Sequence, residues 1–232
     1  MAPKVLVVLT SFGHIEAANK PTGWFLPELS HPYDVLTGAG VEIVTASPKG
    51  GVAPLDPGSV EMSKEDASAQ AFAREKKAVW EQTQPLSSFK GRADEFAALF
   101  YPGGHGPMFD LVDDADSIAV IEEFASKGKV VAAVCHGPVV LVNAKRKEDG
   151  KPLLADREAT GFNNAEEDAV GMSQYMPFML EDRIKAVGAK YKKAEQPWGE
   201  LVLVQDGGKL ITGQNPASAK GVGEAILKAI GA

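Results

Sequence analysis

The chain has 232 residues, of which 44% are hydrophobic and 24% charged, and these are the proportions of an ordinary globular protein. Its net charge of −7 and pI near 5.2 argue against binding to nucleic acid or to anionic membrane surfaces. We expect no signal sequence, and no apolar run approaches the roughly 20 residues that cross a bilayer. Because a single cysteine cannot form an intramolecular disulfide, we expect a cytoplasmic protein.

Short apolar runs alternate with helical stretches along the chain. In chain order, the predicted elements are a strand at 4–9, a helix at 24–38, a strand at 41–46, a loop or small hairpin at 47–62, a helix at 65–83, a strand at 96–101, a helix at 116–127, a strand at 129–134, a helix ending near 144, a strand at 157–162, a helix at 178–187, a hairpin-like pair at 201–205 and 209–212, and a helix at 217–230. This alternation predicts one α/β domain with a mainly parallel sheet covered by helices on both faces.

The strongest local motif surrounds the only cysteine. Cys135 follows the predicted strand at 129–134 directly and precedes a helix, which is the position of the reactive residue in a nucleophile elbow. Such a turn needs small residues two positions before and after, and Ala133 and Gly137 satisfy this. A helix beginning after Cys135 would favour the thiolate through its dipole. The alternative is a buried structural cysteine.

The positions of the histidines restrict the possible partners of this thiol. They are His14, His31, His105 and His136, and none lies after residue 136. This excludes arrangements in which the catalytic histidine follows the cysteine at a distance. His14 and Glu16 form a two-residue pattern that is too small to predict a metal site, so we expect no metal.

Two further features lie near predicted strand ends. The loop Pro102–Gly106 lacks the lysine and serine or threonine of a phosphate-binding loop, so it is either an oxyanion pocket of backbone N–H groups or a simple turn. Glu28 stands in an apolar segment, where it is either a desolvated carboxyl with a raised pKa or a solvated helix-face charge. Nothing local selects among Glu166, Glu167 and Asp168 as a partner for a histidine.

These residues resemble those of a known family. Ala-Val-Cys-His-Gly-Pro at 133–138, the Gly-Gly-His-Gly loop at 103–106 and Glu28 are similar to the PfpI-type superfamily, which has the class I glutamine-amidotransferase-like, flavodoxin-like fold. Matching segments keep their order over nearly the whole chain. Within the superfamily the chain most resembles the glutathione-independent glyoxalase III branch, whose fungal members are also described as heat-shock chaperones.

The resemblance implies a set of site residues. Cys135 would be the nucleophile, His136 its partner and Glu167 the acid that orients the histidine, with Glu28 near the thiol. The oxyanion and substrate pocket would include Gly103, Gly104 and His105. This chain departs from the branch at Pro102 and Gly103, where serine and alanine are frequent. The segment 47–84 matches loosely, and we expect it to form a small cap.

The resemblance also implies a function. The enzyme would convert methylglyoxal, a small dicarbonyl, and water to lactate, with D-lactate as the expected enantiomer, through a cysteine hemithioacetal and without a cofactor. Either His136 or Glu28 would move the proton. The alternatives are a cysteine peptidase or amidase, and a holdase chaperone or thiol sensor of oxidative stress. A homodimer is expected.

Overall fold

The computed structural model describes residues 2–232, so Met1 of the predicted domain lies outside the described residues. The strands are β1 Lys4–Val8, β2 His14–Ile15, β3 Lys20–Pro21, β4 Glu42–Ser47, β5 Gln84–Pro85, β6 Ala98–Tyr101, β7 Val130–Val134, β8 Glu158–Ala159, β9 Lys190–Tyr191, β10 Val202–Gln205 and β11 Leu210–Gly213. The α-helices are α1 Leu26–Gly38, α2 Pro57–Met62, α3 Ala67–Glu75, α4 Ala78–Glu81, α5 Ala115–Ser126, α6 Asn164–Ala169, α7 Leu180–Ala186 and α8 Ala219–Ile230.

A central sheet organises residues 2–232. Its seven strands lie in the order β10-β11-β7-β6-β1-β4-β5, and all neighbours are parallel except β10 and β11. Every residue of β6 and β7 is buried, although successive side chains point to opposite faces of a sheet. Both faces are therefore covered. The predicted flavodoxin-like α/β sandwich is confirmed.

The order of the strands determines where a site can form. From β1 the chain passes to β4 on one side and later to β6 and β7 on the other side. The connections diverge next to β1, and a crevice opens there beyond the carboxyl ends of the strands. The residues that follow β6 and β7, and the first turn of α1, meet at this crevice.

Two predictions before residue 84 are wrong in detail. The segment 47–62, predicted as a loop or hairpin, contains α2, because the Asp56 side chain accepts hydrogen bonds from the N–H groups of Gly58 and Ser59 and caps a helix. The single helix predicted at 65–83 is interrupted between α3 and α4 near Lys76. Its helix-forming composition did not reveal this break.

Two predictions after residue 134 also need correction. The helix predicted to end near 144 is a 3-10 helix at Gly137–Leu141. The strand predicted at 157–162 is only β8, and it pairs with β9 outside the central sheet. The hairpin-like pair is confirmed as the antiparallel strands β10 and β11.

Within residues 2–232, each helix is too short or too polar to pass through a bilayer.

We predict that Gly137→Ala destabilises the protein. A Cβ atom at Gly137 would lie 2.4 Å from the carbonyl oxygen of Tyr101 at the end of β6, and backbone cannot yield as a flexible side chain can. We expect the free energy of unfolding, measured by urea titration, to fall by about 1–3 kcal/mol. Gly38→Ala is the control, because a Cβ there meets nothing within 4 Å. Equal stability of the two variants would contradict the prediction.

Candidate active site

The site is built on a strained backbone turn at Cys135. This residue follows β7 and has φ of 62°, in the left-handed region that non-glycine residues rarely adopt. Its N–H donates to the carbonyl of Gly213 at 3.0 Å, and its carbonyl accepts from the N–H of Phe162 at 2.8 Å. These two bonds hold a conformation that costs about 1–3 kcal/mol. The strained residue is therefore the one at which the sequence predicts the elbow.

Cys135, His136 and Glu167 form one chain of contacts. Cys135 Sγ lies 3.5 Å from His136 Nδ1, and His136 Nε2 lies 2.6 Å from Glu167 Oε2. Because an ionised carboxylate only accepts hydrogen bonds, the proton of the imidazole belongs on Nε2. The lone pair on Nδ1 then faces the thiol. The arrangement can take a proton from sulfur.

The charges in this chain of contacts follow from burial. Burial, and then the neighbouring His105, lower the pKa of His136, so the imidazole is neutral and available as a base. Burial opposes ionisation of Glu167, but its electrostatic attraction to the His136 ring and the hydrogen bonds from both histidines outweigh this effect. The pKa of Glu167 is therefore well below its usual range. Glu167 remains an anion beside the two rings.

The first turn of α6 selects Glu167 from the three candidate acids. The Asn163 side chain accepts from the Glu166 N–H at 2.9 Å, while Glu166 Oε2 accepts from the Asn163 N–H at 3.0 Å, which is a capping box. Glu166 also accepts hydrogen bonds from Gln214 and Asn215. The next residue, Glu167, is directed at the histidines. This capping sequence, Asn-x-x-Glu, was the signal that could have separated the candidates.

His105 has a contact that sequence reasoning missed. The resemblance implied that it belongs to the substrate pocket, and it lines the cavity that Cys135 also lines. Its Nε2 also lies 2.7 Å from Glu167 Oε1, and its ring centroid is 4.3 Å from that of His136. Glu167 thus contacts both histidines, one with each oxygen. No spacing along the chain indicated this pairing.

His105, His136 and Glu167 also form the one group in the described part of the chain that could hold a metal ion. The ligand atoms of His105, His136 and Glu167 lie within 4.8 Å of one another, and this donor set suits first-row divalent metals. In residues 2–232 both Nε2 atoms are engaged with the carboxylate instead. His14 and Glu16, 3.1 Å apart, are separate from this set.

Glu28 is a buried carboxyl rather than a solvated charge. It lies in the first turn of α1 and is fully buried, and its Oε2 accepts from the Gly103 N–H at 2.7 Å. Burial raises the pKa of Glu28, and hydrogen bonds from Cys135 and Gly103 lower it by less, so the resulting pKa is about 8. Among residues 2–232, Oε1 has no partner at regular hydrogen-bond geometry. The carboxyl is poised to exchange a proton near neutral pH.

The thiol itself is harder to ionise than the sequence suggested. Burial, and then the charge of Glu28, raise the pKa of Cys135, against one hydrogen bond from the Gly104 N–H. The expected α-helix dipole is also reduced, because a five-residue 3-10 helix follows the turn. Cys135 and Glu28 therefore carry at most one negative charge between them. Ionisation of sulfur must be coupled to proton transfer.

The glycine loop brings backbone close to these groups. A Cβ at Gly103 would lie 2.7 Å from Glu28 Oε2 and 2.7 Å from the His136 nitrogen, and one at Gly104, with φ of 84°, would lie 2.2 Å from the carbonyl of Gly23. The N–H groups of Gly104 and His136 donate to no backbone carbonyl of residues 2–232. The N–H of Gly104 is directed at the thiol. Backbone donors beside a nucleophile can stabilise an oxyanion.

A cavity of about 110 Å³ opens above the thiol. An engineered cavity of about 150 Å³ holds benzene, so this space suits a molecule of about five heavy atoms. Its lining residues are Lys20, Phe25, Asp56, Gly58, Ser59, Met62, Gly104, His105, Cys135, His136, Phe162, Val170, Trp198 and Pro216.

The sequence matches the DJ-1/PfpI family over residues 26–229. A protein of Saccharomyces cerevisiae named glutathione-independent glyoxalase HSP31 is 31% identical, with 94% of each chain covered. Two solved structures superpose over almost the full length. Glyoxalase III from Candida albicans has a TM-score of 0.84 at 29% identity, covering 98% of this chain and 97% of the other. The 24 kDa rapid encystment protein of Francisella tularensis has a TM-score of 0.90 at 34% identity, covering 98% and 99%.

We predict that Glu28→Gln stabilises the protein increasingly as pH rises. The carboxyl ionises near 4.5 when solvated and near 8 in the fold, so between these values the native state holds a proton that the unfolded state has lost. Wild-type stability then falls by about 1.4 kcal/mol per pH unit relative to Glu28→Gln.

Urea titrations at several pH values between 5 and 8 measure this difference. The control is Glu65→Gln, the same substitution at an exposed side chain, measured at the same pH values. A constant difference for Glu28→Gln would show that its carboxyl ionises normally in the fold.

Proposed function

The chain belongs to the DJ-1/PfpI family, and we propose that it is a glutathione-independent glyoxalase that converts methylglyoxal and water to lactate. One observation carries the proposal. A thiol on a strained turn, with a neutral imidazole at 3.5 Å, lies at the base of a cavity of about 110 Å³. Methylglyoxal has five heavy atoms and fits such a space. Full-length relatives that are named glyoxalases support the same assignment.

The reaction begins with addition of sulfur to the aldehyde carbon. His136 Nδ1 takes the thiol proton as the carbon–sulfur bond forms, and the aldehyde oxygen becomes an oxyanion. The N–H groups of Gly104 and His136 are the donors for this oxygen. The proton then passes from His136 to the oxygen, which gives a neutral hemithioacetal. Glu167 holds the imidazole through Nε2 during both transfers.

Glu28 is our choice for the proton transfer between the two carbons. A base removes the hydrogen on the former aldehyde carbon as a proton to give an enediolate. The proton of the first hydroxyl moves to the former ketone oxygen, and the base returns its proton to the neighbouring carbon, which leaves a lactate thioester. A catalytic pKa near the working pH suits a group that must both take and give a proton, and that of Glu28 is about 8. Water then cleaves the thioester, which releases lactate and restores the thiol.

Peptide or amide hydrolysis is less well supported. A peptidase must hold an extended main chain across its nucleophile, whereas the thiol here is 3% exposed beneath a cavity that admits only a few heavy atoms. The enclosed position of Cys135 favours a small substrate that can enter completely.

We propose that residues 1–232 form a single domain and that 47–84 caps the cavity. Asp56, Gly58, Ser59 and Met62, in or next to α2, line the space above the thiol, which supports this role. A cytoplasmic location is proposed because a lone reactive thiol survives best in a reducing compartment.

A homodimer is proposed from the resemblance to the glyoxalase III branch. Sedimentation equilibrium of the purified chain should give twice the mass of 24.5 kDa. A mass of one chain over the whole concentration range would exclude the dimer.

We predict that Cys135→Ala abolishes conversion of methylglyoxal without glutathione. Lactate, measured with stereospecific dehydrogenases, should form about a thousandfold more slowly or not at all, because no sulfur remains to accept the aldehyde. Equal rates for wild type and Cys135→Ala would exclude the proposed function.

Glu28→Gln serves as the second variant of this experiment. It should lower the rate about 100-fold or more, the usual contribution of a general base, while the protein still forms the hemithioacetal, seen as the added mass of methylglyoxal by native mass spectrometry. An unchanged rate would instead assign the transfer to His136.

A further inference from the structure

The exposed large hydrophobic side chains concentrate at one place. Among residues 2–232 they are Val52, Met62, Val170, Trp198 and Val204. Three of these five, Met62 at 74% exposure, Trp198 at 45% and Val170 at 38%, line the mouth of the cavity above Cys135. Single exposed hydrophobic residues are ordinary, but a cluster around a cavity marks a binding surface. The three come from separate parts of the chain.

Trp198 is held at this mouth by a strained backbone. Its φ is 60°, which is unusual for a bulky residue, and it lies in the connection between β9 and β10. The carbonyl of the next residue, Gly199, accepts a hydrogen bond from the buried Asn215 side chain at 2.9 Å. Such strain collects at ligand sites, where the surrounding structure maintains it.

The aromatic rings form a continuous wall from the active site to the solvent. The ring of Phe162 lies 4.5 Å from that of His136, and the indole of Trp198 lies 5.8 Å from Phe162. A planar apolar group that extends outward from the thiol would run along this wall. Both distances are in the range of favourable aromatic contacts.

Because Cys135 must react with the aldehyde carbon, the position of the thiol determines which part of a substrate contacts Phe162 and Trp198. In a 2-oxoaldehyde, R–CO–CHO, the aldehyde carbon must reach Cys135 at the base of the cavity. The cavity of about 110 Å³ accommodates the two carbonyl groups. The substituent R is then directed to the mouth, between Trp198, Met62 and Val170.

We propose that Trp198, Met62 and Val170 form a subsite for the apolar substituent of a 2-oxoaldehyde. This inference rests on the proposed glyoxalase function and names its substrate class. Aryl and longer alkyl 2-oxoaldehydes are preferred to glyoxal, in which R is only hydrogen. Trp198 is the main determinant of this specificity.

Steady-state kinetics with phenylglyoxal and glyoxal test the subsite. Trp198→Ala should lower kcat/KM for phenylglyoxal about tenfold, mainly through KM, because the lost contact acts equally on bound substrate and transition state. The value for glyoxal should change by less than about twofold. Trp198→Phe, which keeps an aromatic ring, should retain most of the activity on phenylglyoxal. An equal fall for both substrates would overturn the proposal.

A matched pair of valine variants provides the control. Val170→Ala at the mouth should lower kcat/KM for phenylglyoxal but not for glyoxal, whereas Val204→Ala, at an exposed position on the edge strand β10 outside the cavity lining, should change neither. Met62→Ala removes an exposed side chain from α2 and should behave as Val170→Ala does. These variants test the subsite even if Trp198→Ala fails to fold. Identical effects of Val170→Ala and Val204→Ala would overturn the proposal.

Alkylation of Cys135 separates this inference from the proposed function. Phenacyl bromide and bromoacetone differ only in phenyl against methyl, and each forms a bond from sulfur to carbon with release of bromide. The ratio of their rates, followed by mass spectrometry, should fall about tenfold in Trp198→Ala relative to wild type. If the wild type converts neither 2-oxoaldehyde, the glyoxalase function fails, and this ratio still tests the subsite. An unchanged ratio would overturn the subsite whatever the enzyme converts.

Discussion

The left-handed backbone at Cys135 is the constraint on which the rest of the site depends. It turns the chain sharply at the end of β7, so the thiol points into the crevice instead of continuing along the sheet. Its N–H is held by Gly213 of β11 and its carbonyl by Phe162, so the turn is tied to two other parts of the chain. Strain that would relax in an isolated segment is maintained by these bonds. His136 follows immediately and is directed toward Glu167 by the same geometry.

The acidic groups around this turn differ in how readily they ionise. Glu28 and Cys135 share a buried space in which burial raises the pKa of both groups and the charge of Glu28 raises that of Cys135 further. On the other side, Glu167 remains ionised because both His105 and His136 contact it. Glu28 therefore holds a proton that it can exchange, whereas Glu167 keeps a fixed negative charge. Two acids of the same type thus serve opposite purposes, and their surroundings decide which.

Much of the fold follows from local patterns. Almost entirely apolar runs predicted β1, β6 and β7, since strands of a parallel sheet that is covered on both faces carry apolar side chains on both faces. The errors lie where a single contact overrides composition. Asp56 caps a helix in a segment rich in glycine and proline, and β8 is shortened because its partner is the equally short β9. The partner of β8 lies about 30 residues further along the chain and is not visible from the local sequence. Asp56 followed by Pro57, in contrast, is a local signal for the start of a helix.

The sequence by itself determined the position of the turn at Cys135, the neighbouring His136 and the requirement for small residues around them, because an elbow is a local structure and its demands fall within five consecutive positions. The tertiary structure decided which acid contacts His136, that His105 contacts the same acid, and that Glu28 is buried. It also decided that Met62, Val170 and Trp198 surround one cavity. These outcomes depend on contacts between distant segments, whose energies arise only when the sheet brings the strand ends together.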